Sequence, residues 1–243
     1  MVKMILPDKL KKLVDRLPIV RKLTSYARRF SMMPECPPKP YPGCEKYWEN
    51  RYSSGNHSGE GSRGKLAVFK AEVINAFIVE KNVKSVIEFG CGDGNQLLLA
   101  KYPEYIGFDI SKAAIEKCKK LFTLDPSKTF GLMCDYTGQR ADLALSLDTV
   151  YHLVDDAVYE DYMQKLFAAA IRYVIVYSSD TADNSGYEGT YTKHRKFTGW
   201  IRENFPGSAL LKYIPNKYPY DGDYKNSSWS NFYIYMKKAK AHV

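Results

Sequence analysis

The chain has 243 residues, 45% of them hydrophobic and 26% charged, enough apolar material for one α/β domain with a substantial core. No apolar run approaches the ~20 residues of a membrane-spanning helix, and charges interrupt the apolar residues at the N-terminus, so neither a span nor a signal peptide is expected. The formal charge of +9 is uneven, because residues 1–33 carry nine Lys and Arg against Asp8 and Asp15 while the remainder is near neutral.

In chain order, Leu10, Leu13, Val14 and Leu17 recur at helical spacing. Pro18 then suits the first turn of a second helix carrying Val20, Leu23, Ala27 and Phe30, with the basic residues opposite. Residues 1–33 therefore read as a basic amphipathic arm. Such an arm packs on its own domain or a second subunit, lies on the anionic inner surface of a membrane, or docks on a partner protein; nucleic acid is the less favoured partner. Residues 34–43 hold five prolines and form a stiff connector. The domain proper is expected over 44–243. Its helices are predicted near 64–82, 94–101, 111–122, 155–170 and 193–204, after an entry helix bearing Tyr47, Trp48 and Tyr52, and its strands near 84–90, 104–109, 129–134, 141–147, 172–178, 209–214 and 231–237. The alternation implies a Rossmann-like, seven-stranded, mostly parallel sheet with helices on both faces. The five cysteines (36, 44, 91, 118 and 134) form no C-x-x-C pair, which fits reduced thiols in a cytoplasmic protein with no metal site.

The run Val86-Ile87-Glu88-Phe89-Gly90-Cys91-Gly92-Asp93-Gly94-Asn95 is a buried strand entering a turn whose backbone lies against a ligand. A phosphate-binding P-loop needs Lys and Ser/Thr after its last glycine, where this chain has Asn95 and Gln96. A dinucleotide fingerprint needs its third glycine one residue later than Gly94. The second strand ends in Asp109, whose carboxylate can accept both ribose hydroxyls of a nucleoside. The third run ends at Asp135-Tyr136, and the fourth leads into Ser146-Leu147-Asp148-Thr149-Val150-Tyr151-His152.

Acid-x-Gly-x-Gly-x-Gly followed by acids at successive strand ends resembles class I S-adenosylmethionine-dependent methyltransferases. A narrower likeness, carried by Tyr47–Tyr52, Ser58–Gly64, Phe89–Gln96, Ser146–Leu153 and His194–Phe197, is to small bacterial methyltransferases of sugar and polysaccharide biosynthesis. Those relatives often have an aromatic residue where this chain has Arg63. The resemblance implies S-adenosylmethionine as donor and S-adenosylhomocysteine as product. It places Glu88, Gly90, Cys91, Gly92, Gly94 and Asn95 along the cofactor, Asp109 and Ile110 at the ribose, Asp135 and Tyr136 at the adenine, and Leu147 nearby. Tyr52, Ser58, Gly61 and Ser62 would close over the methionine end. Tyr47 and Trp48 are read as packing residues.

The fourth strand bears on the acceptor. It lacks the Asn/Asp-Pro-Pro-aromatic signature of amino methylation, which argues against DNA amines. Asp148 and His152, four apart, would share one face of a helical turn, with His152 as base and Asp148 orienting it or holding an adjacent hydroxyl. Asp155 and Asp156 one turn on leave room for a magnesium ion, although none is assigned. His194, expected to open a helix, is the second base candidate. Arg195 could clamp a phosphate or carboxylate, and Tyr151, Tyr218 and Tyr220 are candidate acceptor contacts. The expected reaction is O-methylation of a sugar hydroxyl on a nucleotide-linked sugar or surface glycan. A phenol, a small-molecule amine, RNA, or a non-catalytic cofactor-binding partner of glycan enzymes are the alternatives.

Overall fold

The computed structural model describes residues 43–238; the expected basic arm, nearly all of the proline-rich connector and Cys36 lie outside them. The described chain opens with α1 (Cys44–Ser53) and α2 (Gly64–Glu80), then β1 (Ser85–Phe89), β2 (Glu104–Asp109), α3 (Lys112–Leu121), β3 (Lys128–Leu132) and β4 (Ala141–Leu147). After β4 come α4 (Asp156–Ala169), β5 (Ala170–Ser178), α5 (Phe197–Asn204), β6 (Ser208–Ile214) and β7 (Asn231–Lys237). The sheet order is β3-β2-β1-β4-β5-β7-β6. β1 to β5 pair in parallel, and β7 runs antiparallel to both β5 and β6. The expected mostly parallel seven-stranded sheet is thus present among the described residues. No helix among them is long and apolar enough to cross a membrane.

The central strands are apolar on both faces because helices cover both. Val86 of β1 joins the cluster under α2 and α3 with Ile74, Phe77 and Ile115. Its neighbour Ile87 joins the opposite cluster with Met163, Leu166 and Phe167 of α4 and Phe197 of α5. Successive side chains of a strand point to opposite faces, so one register serves both cores. Leu166 is fully buried, and truncating such a residue to Ala costs about 2–5 kcal/mol.

Two expected helices differ. The segment near 94–101 forms only a 3-10 turn at Gln96–Leu99, since the link between β1 and β2 is too short for a glycine turn plus a full α-helix. The helix expected over 193–204 begins at Phe197. Residues 193–195 spend their polar groups elsewhere: Lys193 N donates to Tyr151 O and His194 N to Asn184 Oδ1. Asp180 then accepts from Thr198 N and Oγ1, which starts α5.

Candidate cofactor and acceptor site

The glycine turn after β1 takes positive φ at Gly90 (84°), Gly92 (59°) and Gly94 (79°). A Cβ on Gly92 would run into Ser58 Oγ and one on Gly90 into Thr149 Oγ1, whereas Gly94 faces Cys118 and Leu121 of α3 and Phe122 just beyond it. The first two glycines keep the turn thin where it meets the cavity; the third serves packing.

Asp109, at the tip of β2, is buried. Its Oδ2 accepts from Gly92 N and its Oδ1 from Ser111 N, both at 2.9 Å. Burial raises its carboxyl to about 6 despite those bonds. The Ile110 amide bonds the carboxylate as well, which leaves it room for a further donor. Glu88 accepts from Tyr105 OH at 2.7 Å; burial pushes it to about 7, while the Tyr105 bond and the Lys70 charge pull the other way.

Short-range locks draw the segment between α1 and α2 onto the glycine turn. Ser58 Oγ donates to Asp93 Oδ1 at 2.8 Å and accepts from Asp93 N at 3.0 Å, while Ser58 N donates to Asp93 Oδ2 at 3.1 Å. Tyr52 OH bonds Ser58 Oγ at 3.0 Å, and Asn95 Nδ2 donates to Ser62 O. One cavity results. Tyr52, Ser58, Ser62, Glu88, Gly90, Cys91, Gly92, Asp109, Ile110 and Leu147 all line it. Gly61, Gly94, Asn95, Asp135 and Tyr136 do not. The Asp135 carboxylate turns back to Leu132 N at 3.1 Å, and it is Met133 that reaches the lining. The Tyr136 ring packs on Phe89 and Phe108.

At the end of β4, Asp148 adopts φ +55°. Its Oδ2 takes Lys70 Nζ at 2.7 Å, and its Oδ1 takes Ser230 Oγ at 2.9 Å and Tyr151 OH at 3.1 Å. Lys70 is 1% exposed. An ammonium so buried requires its partner, because the desolvation of an unpaired charge exceeds what packing returns. The expected helical-turn pairing of Asp148 with His152 is therefore absent: the segment forms a 3-10 turn, Val150–His152, and the carboxylate is drawn toward Lys70. His152 instead shares a 3.0 Å bond between its Nδ1 and the Tyr191 carbonyl. It still lines the same cavity as Asp148. Loss of solvent lowers its pKa to about 4, against smaller opposing effects of the Tyr191 bond and Asp148.

The remaining expectations place differently. His194 is buried outside the lining, with Nδ1 2.6 Å from Ser179 Oγ and its ring against Tyr151, Tyr187 and Trp229. Arg195 is not free to clamp an anion, because its guanidinium is shared among Asp156 and the carbonyls of Leu153 and Val154. Asp155 caps α4 through Ala157 N and Val158 N, and Asp156 also takes Lys193. Among the described residues no three His, Cys, Asp or Glu gather as a metal-ligand cluster. Tyr151 stands behind the cavity holding Asp148. Tyr218 packs edge-on to Phe69 beneath Lys65, and Tyr220 packs on Trp229; neither lines the cavity.

Sequence reasoning missed Lys70, Trp48 and Gln96, all in the lining. Lys70 carried a signal, since it interrupts the apolar stripe Leu66, Ala67, Ala71 and Ile74 of α2. Trp48, expected only to pack, stands edge-on to His152 at 4.9 Å. Gln96 donates to Ala67 O at 3.0 Å and leaves its buried Oε1 without a partner. A thin glycine wall, a buried carboxylate with room for a further donor and an orphaned amide oxygen fit a ligand that carries ribose hydroxyls and an amino group.

A family model described as a methyltransferase domain matches residues 63–204, more than half of the chain. Among solved structures, the N-methyltransferase NodS from Bradyrhizobium japonicum WM9, in complex with S-adenosyl-l-homocysteine, aligns at TM-score 0.63 and 10% identity over 80% of this chain and 98% of that one. A SAM-dependent methyltransferase from Anabaena variabilis ATCC 29413 aligns at 0.60 and 17% identity over 83% and 97%. The magnesium protoporphyrin IX methyltransferase of Synechocystis PCC 6803 with bound SAM aligns at 0.58 and 13% over 82% and 100%. No curated protein matches the chain significantly. At these identities the structural likenesses speak for the fold alone. With the family model spanning most of the sheet and the cofactor wall, the chain belongs to the methyltransferase-domain family and is an S-adenosylmethionine-dependent methyltransferase.

Proposed function

We propose that the enzyme methylates a hydroxyl group of a sugar, carried on a nucleotide or a growing glycan, with His152 as the base. The cofactor supplies a methyl group on a sulfonium that leaves as a neutral thioether. Asp109 would hold its ribose and the glycine turn its flank, while Gln96 Oε1 offers an acceptor to its amino group. Holding the acceptor in line with the methyl group supplies much of the acceleration.

The observation that carries the reading is the His152 imidazole, which lines the cavity with its Nδ1 3.0 Å from the Tyr191 carbonyl. A ring lowered to about 4 is neutral throughout the physiological range, and its Nδ1 bond to a carbonyl leaves Nε2 as the lone-pair atom. An alcohol oxygen becomes positively charged as it gains a methyl group, so its proton turns strongly acidic and even a weak base can take it. Asp148 sits in the same lining with an acceptor position to spare for a neighbouring hydroxyl. Trp48 beside His152 adds an indole to the same lining, next to where the acceptor would lie.

The test is incubation with labelled S-adenosylmethionine and a panel of nucleotide-sugars, followed by mass spectrometry. A product heavier by one methylene supports the reading, and fragmentation locates the hydroxyl. Absence of transfer to every nucleotide-sugar and to a glycan extract would sink it. The basic segment 1–33 motivates one rival, RNA, and the small RNA methyltransferase HEN1 is among the structural neighbours. An RNA enzyme lacking residues 1–40 should lose affinity and its steep salt dependence; a sugar enzyme should not.

A further inference from the structure

His152 lies in a three-residue 3-10 turn, which by itself does little to fix an imidazole. Its orientation comes from two other elements. On α1, Cys44, Tyr47, Trp48 and Arg51 fall at helical spacing on one side. The Cys44 thiol donates to the His152 carbonyl at 3.6 Å, and Trp48 packs edge-on to the imidazole. From the long connection after β5, Tyr191 lays its ring on Tyr47, with centroids 4.4 Å apart and planes 18° from parallel. The main-chain carbonyl of the same Tyr191 meets His152 Nδ1 at 3.0 Å.

We propose that Tyr47 and Tyr191 are positioning residues for His152: their stacked rings fasten the loop across α1, so that the loop's carbonyl keeps the histidine proton on Nδ1 and leaves Nε2 to receive the acceptor's proton. This rests on the reading of His152 as the base. A carbonyl oxygen has no hydrogen to give, so the 3.0 Å bond exists only when Nδ1 carries one. The polar contact comes from the Tyr191 backbone and the anchorage from its side chain. Removing the ring therefore leaves the carbonyl in the chain but releases it from its place. An offset aromatic pair of this kind contributes beyond its buried area. Further along, the loop is tied to the neighbouring turn by Lys193 N on Tyr151 O and to the start of α4 by Lys193 Nζ on Asp156.

The charged groups bearing on the ring are Asp148, which favours its protonation, and Arg51 and His194, which oppose it; Tyr151, Trp48 and Tyr191 supply the apolar surround. Loss of solvent outweighs the rest. Opening the strap readmits water, so the ring should return toward the ordinary histidine value and lose its tautomer preference.

The experiment is a pH titration of ring nitrogens by NMR in the full-length, ¹⁵N-labelled protein, with His152 assigned by a His152→Gln variant. Wild type should titrate near pH 4 and show Nδ1 protonated above that. Tyr47→Ala and Tyr191→Ala should each move the titration upward by about one unit or more and mix the tautomers. Tyr47→Phe, which keeps the stack but loses the hydroxyl's hydrogen bonds to Tyr191 and Arg51, should shift the titration less than Tyr47→Ala. Binding of S-adenosylhomocysteine and spectral dispersion should be equal in all four, which separates a local from a global effect. The proposal is overturned if either alanine variant keeps the wild-type titration and tautomer, or if the wild-type ring carries its proton on Nε2. Undiminished turnover in a His152→Ala protein would overturn the base reading alone, since the ring signature does not depend on turnover.

Discussion

At the ends of β1 and β2 the cavity wall is largely backbone, set by segments close in the chain: Asp109 takes the amides of Ser111, two residues on, and Gly92, 17 residues back, and the glycines thin the turn. At the end of β4 the wall is side chain, held from afar, with Lys70 and Ser230 lying 78 and 82 residues from the Asp148 they contact. A backbone cradle suits a ligand that never changes, and a web of distant side chains suits a partner that differs between relatives. Damage should follow the same division: local changes on the first side should be felt in cofactor affinity, and single changes on the second should propagate.

The sharpest break is Asp148→Ala, which strands the buried Lys70 ammonium. Stability should fall by about 3–5 kcal/mol, read as a lower denaturant midpoint. The double replacement Lys70→Met/Asp148→Leu should recover most of it, and a double mutant as unstable as the single would refute the charge argument. Next, His152→Ala should lower turnover by about 10²-fold or more with cofactor affinity nearly unchanged, measured as kcat against the Kd for S-adenosylhomocysteine.

Smaller effects should separate the glycines. Gly92→Ala puts a Cβ into Ser58 at φ 59° and should weaken cofactor binding by roughly tenfold. Gly94→Ala presses on α3 and should cost about 1–3 kcal/mol of stability with little change in cofactor Kd. The mildest prediction is pH-dependent. Asp109 is raised to about 6, so as pH falls through that value the carboxyl gains a proton and loses acceptor capacity. Cofactor affinity should then weaken by up to about tenfold per pH unit below 6, and calorimetry should find a shallower slope in Asp109→Asn, where only Glu88 still titrates.

The same division governs what the sequence could disclose. Strands from β1 to β7 were legible because each is a short apolar run between turn residues, and Asp109 because it ends one of them. The pairing of Asp148 with Lys70 was not, since nothing near Asp148 announces a lysine on α2; the only clue was a charge on an apolar stripe. His152 does line the cavity, but not paired with Asp148: a four-residue spacing promises a shared helical face only where the chain is helical, and here it makes a tighter turn. Arg195 and His194 were placed at a helix start that lies at Phe197, because the polar contacts holding residues 193–195 come from segments far along the chain. Helix 94–101 failed for want of chain length rather than of helical character.

Glu88, raised to about 7, and Asp109, raised to about 6, face one cavity, so near neutrality the two carboxyls share a fractional number of protons. A cofactor bearing a sulfonium brings positive charge close to both and should drive those protons into solution. Heats of binding should therefore vary with the ionisation enthalpy of the buffer, with the proton release largest near pH 6 to 7 and fading on the alkaline side. Two acids at the tip and within the body of adjacent strands would make the enzyme's hold on its donor report the acidity around it.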